Sequence, residues 1–272
     1  MRQSVRRLLL GAGAVAAAGA MACGQGLASA STEARGQAGG ASAAAATYVP
    51  PGKALYVGEH GRAVRSVQRR LNALHYYAGP VDGIFGLDLQ EAAWAFREVQ
   101  GLTMNASLAA EPINRAFERD LVHPKLPYVL IKHGPAFRVE INQRIEVLVL
   151  YKDDKVSLIS HVSSGGGYYF CNPNGGGCGT AITPDGDFHT LSFNPGWVTV
   201  PLGQMYNPVW FDPAAGDAIH GDIPVPWYPA SHGCVRIPMD IAAWFHNKVR
   251  VGGKHPTPVY IRGTAPYQPE MF

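Results

Sequence analysis

The chain has 272 residues, 47% of them hydrophobic and 16% charged, which is length enough for about two domains with buried cores. Its formal charge of +3 traces to Arg2, Arg6 and Arg7, because residues 31–272 carry 20 basic and 20 acidic side chains. That balance gives no basis for nucleic-acid binding or for a polybasic membrane surface, both of which need a clustered positive excess.

Residues 1–30 have the three parts of an export signal: the arginines, an apolar run from Leu8 to Ala22, and an Ala28-Ser29-Ala30 cleavage site. Fifteen apolar residues are short for a membrane span, so the mature chain is expected to have none, a retained anchor being the alternative. Ala20-Met21-Ala22-Cys23 faintly resembles a lipobox and Arg6-Arg7 a twin-arginine signal; Cys23 either leaves with the leader or carries a lipid anchor. Residues 31–52 are mostly Ala, Gly, Ser and Thr. They cannot bury enough surface to offset ordering entropy and read as a flexible tether.

Residues 53–122 read as a small all-α domain of three helices. Val64, Val67, Leu71 and Leu74 form one helical stripe, Ala92, Ala93, Phe96 and Val99 a second, and Leu108, Ile113 and Phe117 a weaker third. Asp82-Gly83 marks a turn between the first two. His123-Pro124 and Leu126-Pro127 break the pattern as a short linker. Residues 126–263 then read as mainly β. Phe137–Tyr151 and Val156–Val162 are rich in Val, Ile and Leu around an Asp153-Asp154 turn, one helix is expected over Met239–His246, and Pro258–Ile261 is a closing strand.

Within that β region His220-Gly221 and Ser231-His232-Gly233-Cys234-Val235-Arg236 place one thiol, two imidazoles and a guanidinium within seventeen residues. A free thiol is only about 3% thiolate at pH 7, and a histidine base within reach lifts that limit. Gly233 lets a carbonyl approach backbone N–H groups, and Arg236 offers a fork for a substrate carboxylate. The set reads as cysteine acyl transfer on a substrate with a free acid. A buried Cys beside an unrelated His, and a His/His/Cys zinc site, are the alternatives; the second lacks any compact ligand pair.

The strings themselves resemble the signature of the L,D-transpeptidase family, the YkuD-type enzymes of bacterial cell walls, and Thr183-Pro184-Asp185-Gly186-Asp187-Phe188 resembles that family's Thr-Pro-x-Gly-x-Phe segment. The resemblance runs from about Val139 to Gly263. It implies Cys234 as nucleophile, His220 as base, the Gly221 carbonyl as the group orienting His220, His232 and Gly233 as shapers of the oxyanion site, and Ser231 as the turn residue that aims them. Arg236, Gly221 and Tyr206 are then expected to meet substrate. Trp210 and Phe211 are further substrate-wall candidates, although core packing explains aromatic residues equally well. Upstream, Gly61, the Val-x-x-x-Gln-x-x-Leu run through Gln68 and Leu71, Asp82-Gly83-x-Phe85-Gly86 and Gly101-Leu102 resemble a peptidoglycan-binding domain. Leu89 stands where that family has Thr, and Asn105-Ala106-Ser107 replaces its second Asp-Gly turn.

Together these resemblances imply an exported enzyme of the cell wall, extracellular or periplasmic, that needs no cofactor and no metal. Its partners would be stem peptides and glycan, its inhibitors β-lactams of the carbapenem type. The implied reaction attacks the third residue of a tetrapeptide stem, releases D-alanine and forms a 3→3 cross-link. Water as acceptor would make it a carboxypeptidase, a protein amine an anchoring enzyme, and an idle site a wall-binding protein. Sortases run His, Cys, Arg in the same order but carry the Arg well downstream and Thr-x-Thr-Cys at the nucleophile, and papain-like wall hydrolases place Cys before His, the reverse of the order here. Cys171 and Cys178 flank a loop too glycine-rich to hold itself and are expected to pair, leaving Cys234 free. His60, His75, His123, His133, His161, His189, His246 and His255 have no motif context and read as surface or capping residues.

Overall fold

The structure, a computed structural model, describes Tyr48 and residues 50–102, 112–172, 175 and 177–266. The leader with Cys23, most of the tether, Asn105-Ala106-Ser107, Leu108, Pro173, Asn174 and Gly176 lie outside those residues. Among the described residues no helix is long and apolar enough to cross a membrane.

Three helices come first: α1 (Arg62–Ala73), α2 (Leu87–Gln100) and α3 (Arg115–Val122). Val64, Val67 and Leu71 of α1 are buried as their spacing predicts. The Gln of the upstream motif has a structural task. Gln68 is 2% exposed, its Oε1 accepts from the Gly83 N–H at 2.8 Å and its Nε2 donates to Asp82 Oδ1 at 2.9 Å, so α1 holds the Asp-Gly turn. α2 ends on Gly101 in the left-handed region, φ 71°, and Asn114 caps α3 by accepting from the N–H groups of Ala116 and Phe117.

The expected strand region around Phe137–Tyr151 divides at a turn that carries Glu146 at φ 48°. β1 (Arg138–Asn142) and β2 (Val147–Lys152) pair antiparallel, and β3 (Lys155–His161) continues the sheet beyond the Asp153-Asp154 turn. β4 (Tyr169–Cys171) and β5 (Cys178–Thr180) form a separate hairpin. β6 (Gly186–His189), β7 (Ser192–Phe193), β8 (Trp197–Val200), β9 (Gly203–Asp212), β10 (Asp217–Asp222), β11 (Val235–Pro238), α4 (Met239–Phe245) and β12 (Pro258–Arg262) follow. The first sheet runs β3-β2-β1-β12-β6. The second runs β11-β10-β9-β7, with β8 also paired to β9.

Val139, Ile141, Leu148 and Leu150 of the first sheet face Val209, Ile219, Val235 and Ile237 of the second in one core, which α4 closes with Ile241 and Phe245. The other face of the first sheet, through Val147, Val149, Tyr151 and Ile159, joins the core of the helices. A sheet covered on both faces explains why Val147–Tyr151 is an unbroken buried run rather than an alternating one. The helical and β regions thus share buried surface. The stretch read as a linker is also tied down: Gln100 of α2 accepts from the Lys125 N–H at 2.8 Å and donates to the Lys125 carbonyl at 3.1 Å.

His161 is the clearest departure from the sequence reading, which placed it at the surface. It is 1% exposed at the end of β3, with Nδ1 2.7 Å from Glu98 Oε1 of α2 and Nε2 2.9 Å from the Pro226 carbonyl. Both neighbours are acceptors, so both ring nitrogens carry protons when Glu98 is ionised. The Glu98 carboxylate raises the His161 pKa to about 9 against the opposing effect of burial. Two further acids lie nearby. Glu91 accepts from the Val225 N–H, Glu146 accepts from Ser164 N–H and Oγ, and burial pushes each carboxyl up to about 8.

Candidate active site

His220 and Gly221 lie on β10 and Arg236 on β11, two parallel neighbours in which His220 is in register with Arg236. Ser231 to Cys234 form the turn that feeds β11. The turn is clamped from several sides. Ser231 Oγ donates to the Cys234 carbonyl and accepts from the Gly233 N–H at 2.9 Å. Thr183 Oγ1 donates to the Gly233 carbonyl at 2.6 Å while accepting from the Gly165 N–H at 2.8 Å. The Ser231 N–H donates to the Ser164 carbonyl at 2.9 Å, and Ser164 is itself held by Glu146. The sequence marked Thr183 only as part of a motif; in the fold it fastens that motif to the turn fifty residues away.

The thiol and the imidazoles open onto one cleft of about 710 Å³, lined among others by Phe170, Trp197, Met205, Asp217, His232 and Arg236. His220 Nδ1 lies 2.9 Å from the Gly221 carbonyl. A carbonyl only accepts, so Nδ1 carries the proton and Nε2 presents a lone pair. Burial, with Arg236 adding to it, pushes the His220 pKa down to about 4, so the ring is neutral at pH 7. Cys234 is the free thiol among the described cysteines. Its Sγ lies 3.6 Å from the Gly216 carbonyl and 3.8 Å from Met205 Sδ, and burial first, then Asp217, pushes it up to about 12. The resting pair is therefore thiol and neutral imidazole, not thiolate and imidazolium.

Several expected contacts take a different form. The Gly233 N–H is taken by Ser231 Oγ and is not aimed at a carbonyl oxygen. Gly233 matters through its missing side chain, since a β-carbon there would stand 2.4 Å from Asp217 Oδ1. Gly221 does not line the cleft: its carbonyl meets His220, and a β-carbon would strike Ala242 at 2.7 Å and Met239 Sδ at 2.8 Å. Tyr206 sits in register with Gly221 and packs against the sheet core, with its ring on Trp197 at 5.3 Å; Trp197 and Trp210 are in the cleft wall instead. Phe211 is buried in the core. Arg236 reaches the cleft with its Nε 3.2 Å from Asp222 Oδ2, which leaves the rest of the guanidinium for a ligand.

Cys171 and Cys178 are joined, facing each other across β4 and β5. The hairpin they close stands beside the turn, its Phe170 ring 4.5 Å from the His232 ring, with Tyr168 5.5 Å away on another side. His232 is thus an aromatic-packed wall residue, its pKa lowered by burial and by Arg236. Among the described residues no group of three His, Cys, Asp or Glu is placed to hold a metal ion.

Comparison with known proteins identifies the domain types. Residues 136–261 match the L,D-transpeptidase catalytic domain, YkuD, and residues 60–105 match the putative peptidoglycan binding domain. A solved L,D-transpeptidase from Xylanimonas cellulosilytica is 29% identical with a TM-score of 0.68, over 79% of this chain and 100% of that one. L,D-transpeptidases from Stackebrandtia nassauensis (14% identity, TM-score 0.43, 79% and 100% covered) and Enterococcus faecium (21%, 0.36, 47% and 50%) are more distant, and likeness at that level carries no argument. No curated protein matches the chain. The chain carries a YkuD-type L,D-transpeptidase catalytic domain preceded by a domain of the peptidoglycan-binding type.

Proposed function

We propose that this protein is an exported cell-wall L,D-transpeptidase that works through an acyl-enzyme on Cys234 and forms 3→3 cross-links. The observation that carries the reading is the neutral His220, with Nδ1 held by Gly221 and Nε2 free, in the same cleft as an unpaired thiol. Because the thiol sits at about 12 and the imidazole at about 4, no resting ion pair stores the thiolate. His220 Nε2 takes the thiol proton as Sγ bonds to the carbonyl carbon of the third stem residue, then passes it to the departing D-alanine nitrogen as that C–N bond breaks. An acceptor amine attacks the thioester, its proton goes to His220, and the thiol is restored. With the Gly233 N–H engaged elsewhere, the oxyanion takes its hydrogen bonds from other groups of the turn, the His232 and Cys234 N–H groups being nearest in sequence. Arg236 receives a substrate carboxylate.

Incubating the full chain with disaccharide-tetrapeptide tests the reaction by mass spectrometry. Dimers lacking one D-alanine are the expected product. Tripeptide monomers alone would assign carboxypeptidase activity instead, and unchanged tetrapeptide would refute acyl transfer.

A further inference from the structure

The reaction just proposed leaves Asp217 unused. It is the first residue of β10, three before His220, and its side chain lies in the cleft wall although the residue is only 7% exposed. Its carboxylate packs so close to Gly233 that no side chain fits between them. Among the described residues the carboxylate has neither a hydrogen-bond nor an ion-pair partner. The nearby charges do not relieve it. Asp212, its register partner across the β9–β10 ladder, is also acidic and accepts from the Ala215 N–H, while Arg236 is turned to Asp222. A buried carboxylate without a partner is costly, and beside a thiol that must become a thiolate its charge has the wrong sign. Both penalties disappear when a cation binds in the cleft.

We propose that Asp217 binds a primary ammonium group of the peptidoglycan substrate and so selects amine-bearing stems. An ammonium is a compact charge with three donors, which suits a lone buried carboxylate better than a planar guanidinium does. The assignment rests on the acyl-transfer reading and adds to it a specificity-determining residue. The ammonium belongs either to the donor stem, as a side-chain amine of its third residue, or to the incoming acceptor, and the two cases are separable.

The test uses the full chain as wild type and Asp217→Asn. D-alanine release is followed with a tetrapeptide donor bearing a free side-chain amine and with the same donor N-acetylated. Separately, the amine concentration that gives half-maximal aminolysis is measured. If the ammonium is the donor's, the variant raises KM for the free-amine donor about tenfold or more, the size of one charge-assisted hydrogen bond, and leaves KM, though not the rate, of the acetylated donor within about twofold. If it is the acceptor's, donor KM stays constant and the half-saturating amine concentration rises by a similar factor. A change below about twofold in both would overturn the assignment. Wild type alone gives a second measurement should the variant fail to fold. It should lose about tenfold in KM on donor acetylation, or prefer an acceptor that carries a second, protonated amine beside the attacking one to a similar acceptor that lacks it; indifference in both comparisons would again overturn it. A wild type that neither releases D-alanine nor forms a carbapenem adduct would instead refute the acyl-transfer reading.

Discussion

His220→Ala is expected to slow acylation by a carbapenem about 10²–10⁴-fold near pH 7, the usual loss on removing a general base. The thiol it leaves behind is pushed up to about 12, so almost no thiolate forms without a proton acceptor. The variant's rate should therefore climb with each unit of pH through the alkaline range. The wild-type profile should differ at its other end. His220 must be neutral to act and its pKa is lowered to about 4, so acylation should stay fast well below the ordinary imidazole range, with its acid limb near pH 4. A time course of intact mass from pH 4 to 10 checks both limbs. Wild-type speed for His220→Ala at pH 7 would move the base role to another group, His232 first.

Glu98→Ala is expected to cost about 3 kcal/mol of stability at pH 7, because it leaves His161 buried without the carboxylate that raises its pKa. The pH dependence follows from the sign of the shift. A histidine raised from 6.5 to about 9 contributes stability that is complete below pH 6.5 and is lost as pH rises through about 9. Glu91 and Glu146, raised from 4.5 to about 8, act in the same direction over a lower window. Wild type should therefore weaken steadily between neutral pH and pH 9, and the gap to Glu98→Ala should narrow there. Urea unfolding at pH 6.5, 8 and 9.5 measures it; a gap that widens with pH would contradict the ion pair. Carbapenem acylation should fall along with stability, since His161 also holds Pro226 in the segment leading to Ser231. For the same reason, a chain cut before residue 123 should not behave as an independent catalytic domain: Val147, Val149, Tyr151 and Ile159 would lose the helices that cover them.

What could be read from the sequence was what is local. Ser231 to Arg236, His220-Gly221, the Asp82-Gly83 turn and the Cys171–Cys178 pair each lie within a few residues of their partners, and helical stripes such as Val64, Val67 and Leu71 announce their own buried face. His161 was missed because its partners lie 63 and 65 residues away, in a helix and in a loop, and no periodicity links them. Asp217 was missed because an acid in a β-hairpin reads as a solvated turn residue until the fold places Gly233 against it. Tyr206 was misplaced because aromatic residues near a site suit a substrate wall and a core equally well. As cross-strand partners Tyr206 and Trp197 share one sheet face, and it is the exposed Trp197 ring, packed on Tyr206, that reaches the cleft. Gly233 shows the limit of motif reading: the string marks it as a shaper of the oxyanion site, but only the fold shows that its own N–H is taken up by Ser231.

The most direct measurement of the central claim is the covalent one. Wild-type protein incubated with a carbapenem should gain the mass of one drug molecule, peptide mapping should place it on the fragment containing Cys234, and Cys234→Ala should gain nothing. An adduct that persists in Cys234→Ala, or maps to another residue, would contradict the acyl-enzyme on which the account depends.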